Sequence, residues 1–342
     1  LIDDASLLDD HQRALAQWLA RYCHGPIGDV ISLMLPTLLR QGAAAHIQEE
    51  TYWQATQSGR VLAPDKMSRA PRQAELLRAL QKHQQSVAAT MLRSLGFTSA
   101  QMAALEDKGL AERYKQSCHL ESHDDGKPVL AEIPLQLNDE QAEAVNAVLD
   151  KLTQPEVFLL EGITGSGKTE VYLQIIEAAL KQNRQVLVLV PEIGLAPQTV
   201  NRFKKRFAVP VMTLHSGLSE KERLDAWLLA RDGRAGVLIG TRSASMTPFK
   251  DLGLIVVDEE HDASYKQGDG IRYSARDLAI VRGKMLGCPV VLGSATPSLE
   301  TLHNAMEKRY HWLTLKQRAG AKVQLPDIYL HDIHNKKLTN GI

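Results

Sequence analysis

Gly162-Ile163-Thr164-Gly165-Ser166-Gly167-Lys168-Thr169 fits G-x-x-x-x-G-K-[ST], the phosphate-binding loop. It follows the apolar run Val157-Phe158-Leu159-Leu160 and opens a helical pattern from Val171 to Leu180, the strand–loop–helix setting such a loop requires. Glycines let backbone N–H groups converge on phosphate oxygens, and the helix N-terminus adds the positive end of its dipole. Lys168 is expected to reach the β- and γ-phosphates, and Thr169 to ligate Mg²⁺ through its hydroxyl. Gly162, Thr164, Gly165, Ser166, Gly167 and the following Glu170 complete the expected nucleotide-binding set. ATP or ADP with Mg²⁺ is the implied cofactor.

Leu254 to Val257 is apolar and partly β-branched, so Asp258 is expected at the carboxyl end of a buried parallel strand. A carboxylate there can hold Mg²⁺ opposite Thr169, and Glu259 can orient and deprotonate a water attacking the γ-phosphate. Lys168, Asp258 and Glu259 are thus the catalytic candidates. Kinases and transporters share the phosphate loop, so the loop alone leaves the reaction open. Asp258-Glu259-Glu260-His261, together with Gly293-Ser294-Ala295-Thr296-Pro297-Ser298 after the strand-like Val290 to Leu292, is more restrictive. The ordered set resembles the motifs of superfamily 2 helicases. That resemblance implies that His261, Ser294 and Thr296 couple the nucleotide site to the rest of the protein.

The chain has 342 residues, enough for two or three domains, with 40 basic and 40 acidic side chains. With no net charge, nucleic-acid binding would have to come from local patches. Cys23, Cys118 and Cys288 are far apart, which argues against a disulfide framework or a zinc site in this chain and for a reducing cytosol. No apolar run approaches the ~20 residues needed to span a bilayer, and no signal peptide is visible. The chain begins at Leu1 and stops at Ile342 in mid-segment, which reads as a fragment.

From Leu135 to about Arg318, strand and helix patterns alternate. Strands are expected at 157–161, 186–190, 211–214, 236–240, 254–258 and 289–293, with helices between most of them. This calls for an α/β fold with a doubly wound parallel sheet whose chemistry lies at the strands' carboxyl ends. Upstream, residues 7–24 carry a helical pattern closed by Gly25-Pro26, and a second apolar segment runs from Val30 to Leu39. A turn-rich stretch between Gly59 and Pro71 reads as a boundary. Residues 72–82, 87–95 and 99–108 follow as three helical patterns, with Ser99 a candidate N-cap, and Leu110–Tyr114 is strand-like. This is either a winged-helix module or a small structural helical subdomain. Residues 116–131 read as a linker.

Leu137-Asn138-Asp139-Glu140-Gln141 precedes the phosphate loop and opens a helix at Asn138. The Gln141 amide, donor and acceptor together, matches the adenine edge. Pro191, after Val190, and Thr241 and Arg242, after Gly240, end sheet strands; they are either single-strand contacts or ordinary turns. His215 joins that row or is structural. Tyr265, Lys266, Arg272, Tyr273 and Arg276 interleave aromatics and cations just past the acidic motif. Such a loop can stack bases and report DNA to Glu259.

Residues 162–170, Val-Pro-Glu-Ile-Gly-Leu at 190–195, Leu-His-Ser-Gly-Leu at 214–218, Gly-Thr-Arg-Ser-Ala at 240–244, 258–261 and 293–298 resemble the PriA family of bacterial primosomal replication-restart helicases. The segment 265–276 is similar to the family's aromatic-rich loop, 22–42 to the end of its N-terminal DNA-binding domain, and 72–115 to its winged helix. The resemblance implies a RecA-like helicase lobe 1 at 131–320. It is preceded by a helical tail at 1–50 and a winged-helix-type domain with linker at 51–130; 321–342 begins the next segment. It further implies an ATP-dependent 3′-to-5′ DNA helicase that binds forked and single-stranded DNA. Single-stranded-DNA-binding protein and other primosomal proteins would be its partners, and it would be monomeric, cytoplasmic and nucleoid-associated. The family's second lobe with its arginine finger, and its C-terminal part with structural zinc, have no counterpart in these residues, so little ATP turnover is expected from them alone. The other readings are a different superfamily 2 translocase, such as an RNA helicase or a restriction motor, and a non-catalytic DNA-binding module that uses nucleotide as a ligand.

Overall fold

The computed structural model describes residues 6–46, 50–67, 70–82, 86–116, 128–192 and 197–319. Three helices come first: α1 (Asp10–Tyr22), α2 (Ile27–Met34) and α3 (Thr37–Arg40). A small module follows: β1 (Glu50–Ala55), α4 (Gln57–Val61), α5 (Pro71–Lys82), β2 (Val87–Ala88), α6 (Ala89–Ser94), α7 (Ser99–Asp107) and β3 (Ala111–Gln116). The α/β lobe then runs α8 (Asp139–Leu149), β4 (Val157–Gly162), α9 (Lys168–Lys181), β5 (Gln185–Leu189), α10 (Pro197–Arg206), β6 (Val211–Leu214), α11 (Glu220–Arg231) and β7 (Val237–Gly240). It ends with β8 (Leu252–Val257), α12 (Ala275–Leu286), β9 (Val290–Ser294), α13 (Leu299–Met306) and β10 (His311–Leu315).

The lobe's seven strands pair in the order β10-β4-β9-β8-β5-β7-β6, every pair parallel. Alternation along each strand sends side chains to opposite faces. Val186 and Val188 of β5 meet Ile175, Ile176 and Phe203 of α9 and α10, while Leu187 and Leu189 meet α1, α11 and α12 through Leu19, Ala226 and Leu278. Helices on both faces explain why β5 and β8 are buried end to end and read as unbroken apolar runs. This is the RecA-like doubly wound sheet.

The six expected strands form, and a seventh, β10, joins the edge beside β4. Its sequence, His-Trp-Leu-Thr-Leu, gives little signal because it pairs on one side only and leaves alternate residues exposed. Within the sheet β9 lies between β4 and β8. Its end at Ser294 therefore stands between the phosphate loop and Asp258.

The N-terminal helices are built into the lobe. Leu15, Ala16, Leu19, Val30 and Met34 join the core on the α12 face, and the indole N–H of Trp227 donates to the Met34 carbonyl at 3.1 Å. Beneath α1 lies Arg282, fully buried, donating to the carbonyls of Ser245 and Thr247 at 2.8 and 2.6 Å. Burial pulls its guanidinium down to about 10.

The small module differs from its expectation in several ways. β1 precedes the helices and pairs antiparallel with both β2 and β3, so residues 50–55 form the central strand of a β2-β1-β3 sheet. The stretch expected as a boundary, from Gly59, lies inside the module. Gly59 packs so closely on the Leu110 backbone that a Cβ there would sit 1.9 Å from its carbonyl oxygen. The core beneath is Trp53, Leu76, Leu77, Leu80, Leu92, Met102 and Leu105. The N-cap of α7 is Thr98, in a capping box with Gln101, rather than Ser99. Most of the expected linker, 117–127, and the segment 321–342 lie outside the described residues.

Candidate nucleotide site and its coupling network

The phosphate loop turns through left-handed Gly165 and Gly167 (φ +81° and +83°), and Gly167 is the N-cap of α9. Behind it stands Gln141, 3% exposed. Its Oε1 accepts from Asn138 N–H at 3.0 Å, and its Nε2 donates to the Ser166 carbonyl at 2.9 Å. A Cβ on Gly167 would meet Nε2 at 2.3 Å. Gln141, expected to read the adenine edge, joins the start of α8 to the phosphate loop in this structure, with one bond at each amide end. Asn138 and Gln141 form a capping box at the start of α8. Ser166 Oγ is buried with no hydrogen-bond partner among the described residues. Lys168 Nζ donates to the Gly162 carbonyl at 2.8 Å and lies 4.0 Å from Glu259 Oε1.

Across β9, the Asp258 N–H donates to the Leu189 carbonyl at 2.9 Å, which fixes the end of β8 to β5. Asp258 Oδ1 accepts from the Tyr172 hydroxyl at 3.0 Å and from Glu259 N–H at 3.1 Å. Burial first, then the Glu259 charge, raise the Asp258 carboxyl above its ordinary value, with Tyr172 and Lys168 opposing. Burial, with Asp258 beside it, holds Tyr172 well above the usual phenol range. The tyrosine reaches this position because β9 carries Gly293, where a Cβ would land 1.5 Å from its hydroxyl. Glu259 has φ +46°, a left-handed backbone that costs of order 1–3 kcal/mol for a non-glycine residue and recurs at functional sites.

His261 Nδ1 lies 2.7 Å from Ser294 Oγ and 3.6 Å from Glu259 Oε2. Ser294 Oγ also accepts from Thr296 N–H at 3.0 Å, and Thr296 Oγ1 is 3.5 Å from His261 Nε2. The three expected coupling residues are therefore one hydrogen-bonded group beside Glu259. Glu260, given no role from sequence, is 2% exposed and collects Ser298 N–H at 2.7 Å, Thr301 Oγ1 at 2.8 Å and Arg276 Nη1 at 3.1 Å. It anchors the start of α13. The sequence signal was Ser298-x-x-Thr301, an N-cap pattern with no acidic partner of its own.

The loop and the acids face a cleft of about 570 Å³, which also touches Ile133, Leu135, Leu173, Arg202 and Arg206. Glu170 lines it but is committed elsewhere: it pairs with Arg206 at 2.6 Å and accepts from Leu135 N–H at 3.2 Å. Its expected contact with nucleotide gives way to a strut between α9 and α10.

The loop after the acidic motif departs most from expectation. Tyr265 and Tyr273 are 1% and 7% exposed, and Arg276 is 8% exposed in its pair with Glu260. The Tyr265 hydroxyl donates to the Asp258 carbonyl at 2.6 Å. Buried rings offer no face for stacking, so both tyrosines are core residues in this structure. The reason is apolar demand: α12 and β8 leave a hollow on the α1 face that these rings fill with Ile271. Lys266 and Arg272 are exposed. Gln267 N–H donates to the Tyr273 carbonyl at 2.8 Å, closing the loop into a hairpin. Arg242 donates to the carbonyls of Ser264 and Lys266 at 3.1 and 2.9 Å. Pro191 and Thr241 are buried, and His215 Nδ1 accepts from Gly217 N–H at 3.2 Å within its own turn. Residues 193–196 lie outside the described residues.

The DEAD/DEAH box helicase family model matches residues 138–305, and the 3′ DNA-binding domain model of PriA matches residues 1–36. The replication restart protein PriA of Haemophilus influenzae is 43% identical over 330 residues, covering 95% of this chain and 44% of the relative. That of Bacillus subtilis is 43% identical over 256 residues, covering 74% of this chain and 31% of the relative. Among solved structures, the Hef helicase domain of Pyrococcus furiosus is 24% identical with a TM-score of 0.38, covering 51% of this chain and 38% of that one. The chain spans less than half the length of these curated relatives. With both family models in the order found and this identity across nearly its whole length, the chain belongs to the PriA family of replication restart proteins.

Proposed function

We propose that the chain carries the ATP-binding lobe of a DNA helicase acting in replication restart. The observation that carries this reading is the convergence of Lys168, Asp258 and Glu259 on one cleft, with His261 joining Glu259 to Ser294. The residues fit a triphosphate: the loop turns through two left-handed glycines into the N-terminus of α9, and the buried Ser166 hydroxyl lacks a partner among the described residues. Thr169 and Asp258 would hold Mg²⁺, which when bound neutralises charge on the β- and γ-phosphates. Lys168 leaves the Gly162 carbonyl for a phosphate oxygen. Glu259 orients a water and takes its proton as the water oxygen attacks the γ-phosphorus; the bond from that phosphorus to the β–γ bridging oxygen breaks, and ADP leaves with that oxygen. His261 passes the change at Glu259 to Ser294 and Thr296.

DNA lies along the sheet edge formed by His215, Thr241, Lys266 and Arg272, and the β2-β1-β3 module is a winged-helix-type DNA-binding unit. Translocation 3′ to 5′, fork recognition and contact with single-stranded-DNA-binding protein and other primosomal proteins belong to this reading through the family. So do a cytoplasmic, nucleoid-associated site of action and a monomeric state. Among the described residues no helix is long and apolar enough to cross a membrane. By itself the chain turns over ATP slowly. Of the arginines lining the cleft, Arg206 is tied to Glu170, and a charge-compensating finger is worth ~10³–10⁵ in rate.

The test is a fluorescent-ATP titration of this chain with and without Mg²⁺, followed by ATPase assays with single-stranded DNA. Mg²⁺-dependent binding that Lys168→Ala abolishes, with slow turnover, is the expected result. Absence of binding overturns the nucleotide reading. DNA-stimulated turnover at ~1–100 s⁻¹, the range of working phosphoryl-transfer enzymes, overturns the incomplete-site reading.

A further inference from the structure

We propose that the crevice between the α2–α3 segment and α11 is a phosphodiester subsite for single-stranded DNA; this rests on the reading that the chain acts on DNA. The crevice encloses about 240 Å³. Its polar lining is Arg40, Arg223, Ser32, Thr37, Ser243 and Thr247, and among the described residues no carboxylate lines it. Two guanidiniums and four hydroxyls without an acid form an anion site by composition.

Both arginines have donors to spare. Arg223 Nε is buried without a partner among the described residues, and the side chain's one bond, Nη2 to the Ser216 carbonyl, is long at 3.4 Å. Among the described residues Arg40 makes a single exposed bond, to Thr37 Oγ1 at 3.1 Å. A guanidinium carries five N–H donors, so most of this pair's capacity is unused. A buried, unpaired donor is costly, and an incoming phosphate oxygen relieves it.

The position favours a strand over a free ion. Leu214 ends β6 immediately before His215, and Ser243 follows Thr241 and Arg242 at the end of β7. The crevice thus continues the sheet edge already assigned to DNA. On that edge Arg242 Nη1 is turned to the carbonyls of Ser264 and Lys266, and Arg223 and Arg40 add two further guanidiniums beside it. Beside the donors, Leu33 is 43% exposed, an apolar surface for a sugar. One wall comes from the N-terminal helices and the other from the helicase lobe, so a phosphate held there ties the two together.

The test measures binding of a fluorescent oligothymidylate to the chain by anisotropy across NaCl concentrations. Arg223→Ala and Arg40→Ala are each expected to weaken binding about five- to tenfold at low salt. Each should also flatten the salt dependence by about 0.7 of a log–log unit, the increment for one lost single-strand phosphate contact. Arg223→Lys should recover part of the affinity, and fluorescent-ADP binding should match wild type in all three variants. Arg40 is solvent-facing, so its variant keeps the test valid if Arg223→Ala fails to fold. Unchanged affinity and slope in Arg40→Ala and in any folded Arg223 variant overturn the subsite alone. Displacement of the oligonucleotide by millimolar inorganic phosphate in wild type but not in Arg223→Ala or Arg40→Ala would make it a free-anion site and overturn the strand assignment. Failure of wild type to bind the oligonucleotide overturns the DNA reading itself.

Discussion

His261 Nδ1 stands 2.7 Å from Ser294 Oγ, and this contact joins the acidic stretch after β8 to the end of β9. β9 is the strand between the acids and the phosphate loop, so one short chain of polar atoms runs from Glu259 through His261 to Ser294 and Thr296. The lever is physical: in a parallel sheet, neighbouring strand ends lie about 4.8 Å apart, within reach of one side chain.

Ser294→Ala should leave fluorescent-ATP binding near wild type, because Ser294 is not among the residues lining the cleft. It deprives His261 and Thr296 N–H of a shared partner, each bond worth about 1 kcal/mol. In the full-length protein the base pairs unwound per ATP hydrolysed should fall more than the hydrolysis rate itself. Equal losses in both quantities would refute a coupling role.

The two acids should separate. Glu259→Gln is expected to keep Mg²⁺-dependent ATP binding and lose hydrolysis, because its carboxylate serves the water. Asp258→Asn should weaken Mg²⁺-dependent binding itself, since Asp258, which holds two donors, is the proposed metal ligand. Binding isotherms at varied Mg²⁺ decide it, and identical defects would cancel the division of roles.

The lobe was legible where burial is two-sided. Residues 186–190 and 254–257 are continuous apolar runs, and the loops at 162–169, 258–261 and 293–298 carry their motifs in residue type. What was not legible depended on which way a side chain turns. Tyr265 and Tyr273 sit among cations and glycines, a local pattern that reads as surface, yet the hollow beside α1 takes both rings. Gln141 and Glu170 have the right chemistry for a nucleotide, but each found a nearer partner in Ser166 and Arg206. β1 escaped notice because Glu-Thr-Tyr-Trp-Gln-Ala is central only by virtue of strands that arrive much later in the chain.

Gly167→Ala should damage the phosphate loop without unfolding the lobe. A left-handed alanine costs roughly 1–2 kcal/mol, and its methyl would press on the Gln141 amide. Nucleotide affinity is expected to fall at least about tenfold, with the melting temperature reduced by only a few degrees. Adding Gln141→Ala removes the clash but not the backbone strain, so affinity should recover in part. Wild-type affinity in the single variant would show that the loop does not need its left-handed turn.

His11 links the docking of α1 to pH. Burial first, then the charge of Arg282, lower its imidazole to about 4 from an ordinary 6.5, with Asp9 opposing. The unfolded chain binds this proton more readily, so the stability from neutral His11 is present above about 6.5 and lost as pH falls towards 4. Melting temperatures at pH 7.5 and 5 should therefore differ more in wild type than in His11→Gln. An equal drop in both would remove His11 from the account.

Tyr265 offers the sharpest contrast between a buried support and a DNA-stacking ring. As a support, its ring fills the core on the α1 face and its hydroxyl holds the Asp258 carbonyl at 2.6 Å. Tyr265→Phe keeps the volume and removes the bond. It should fold normally, bind an oligothymidylate as wild type does, and hydrolyse ATP more slowly, because Asp258 loses the contact that fixes its backbone. Tyr265→Ala leaves a large cavity and should cost ~3–5 kcal/mol of stability, with a melting temperature lowered by many degrees. A stacking ring predicts the reverse. Tyr265→Ala would then melt near wild type and lose ~1–3 kcal/mol of single-strand affinity. Thermal melts and anisotropy titrations on the same two variants separate the cases. A stable Tyr265→Ala with weakened DNA binding would mean that the loop turns its tyrosines outward when it works.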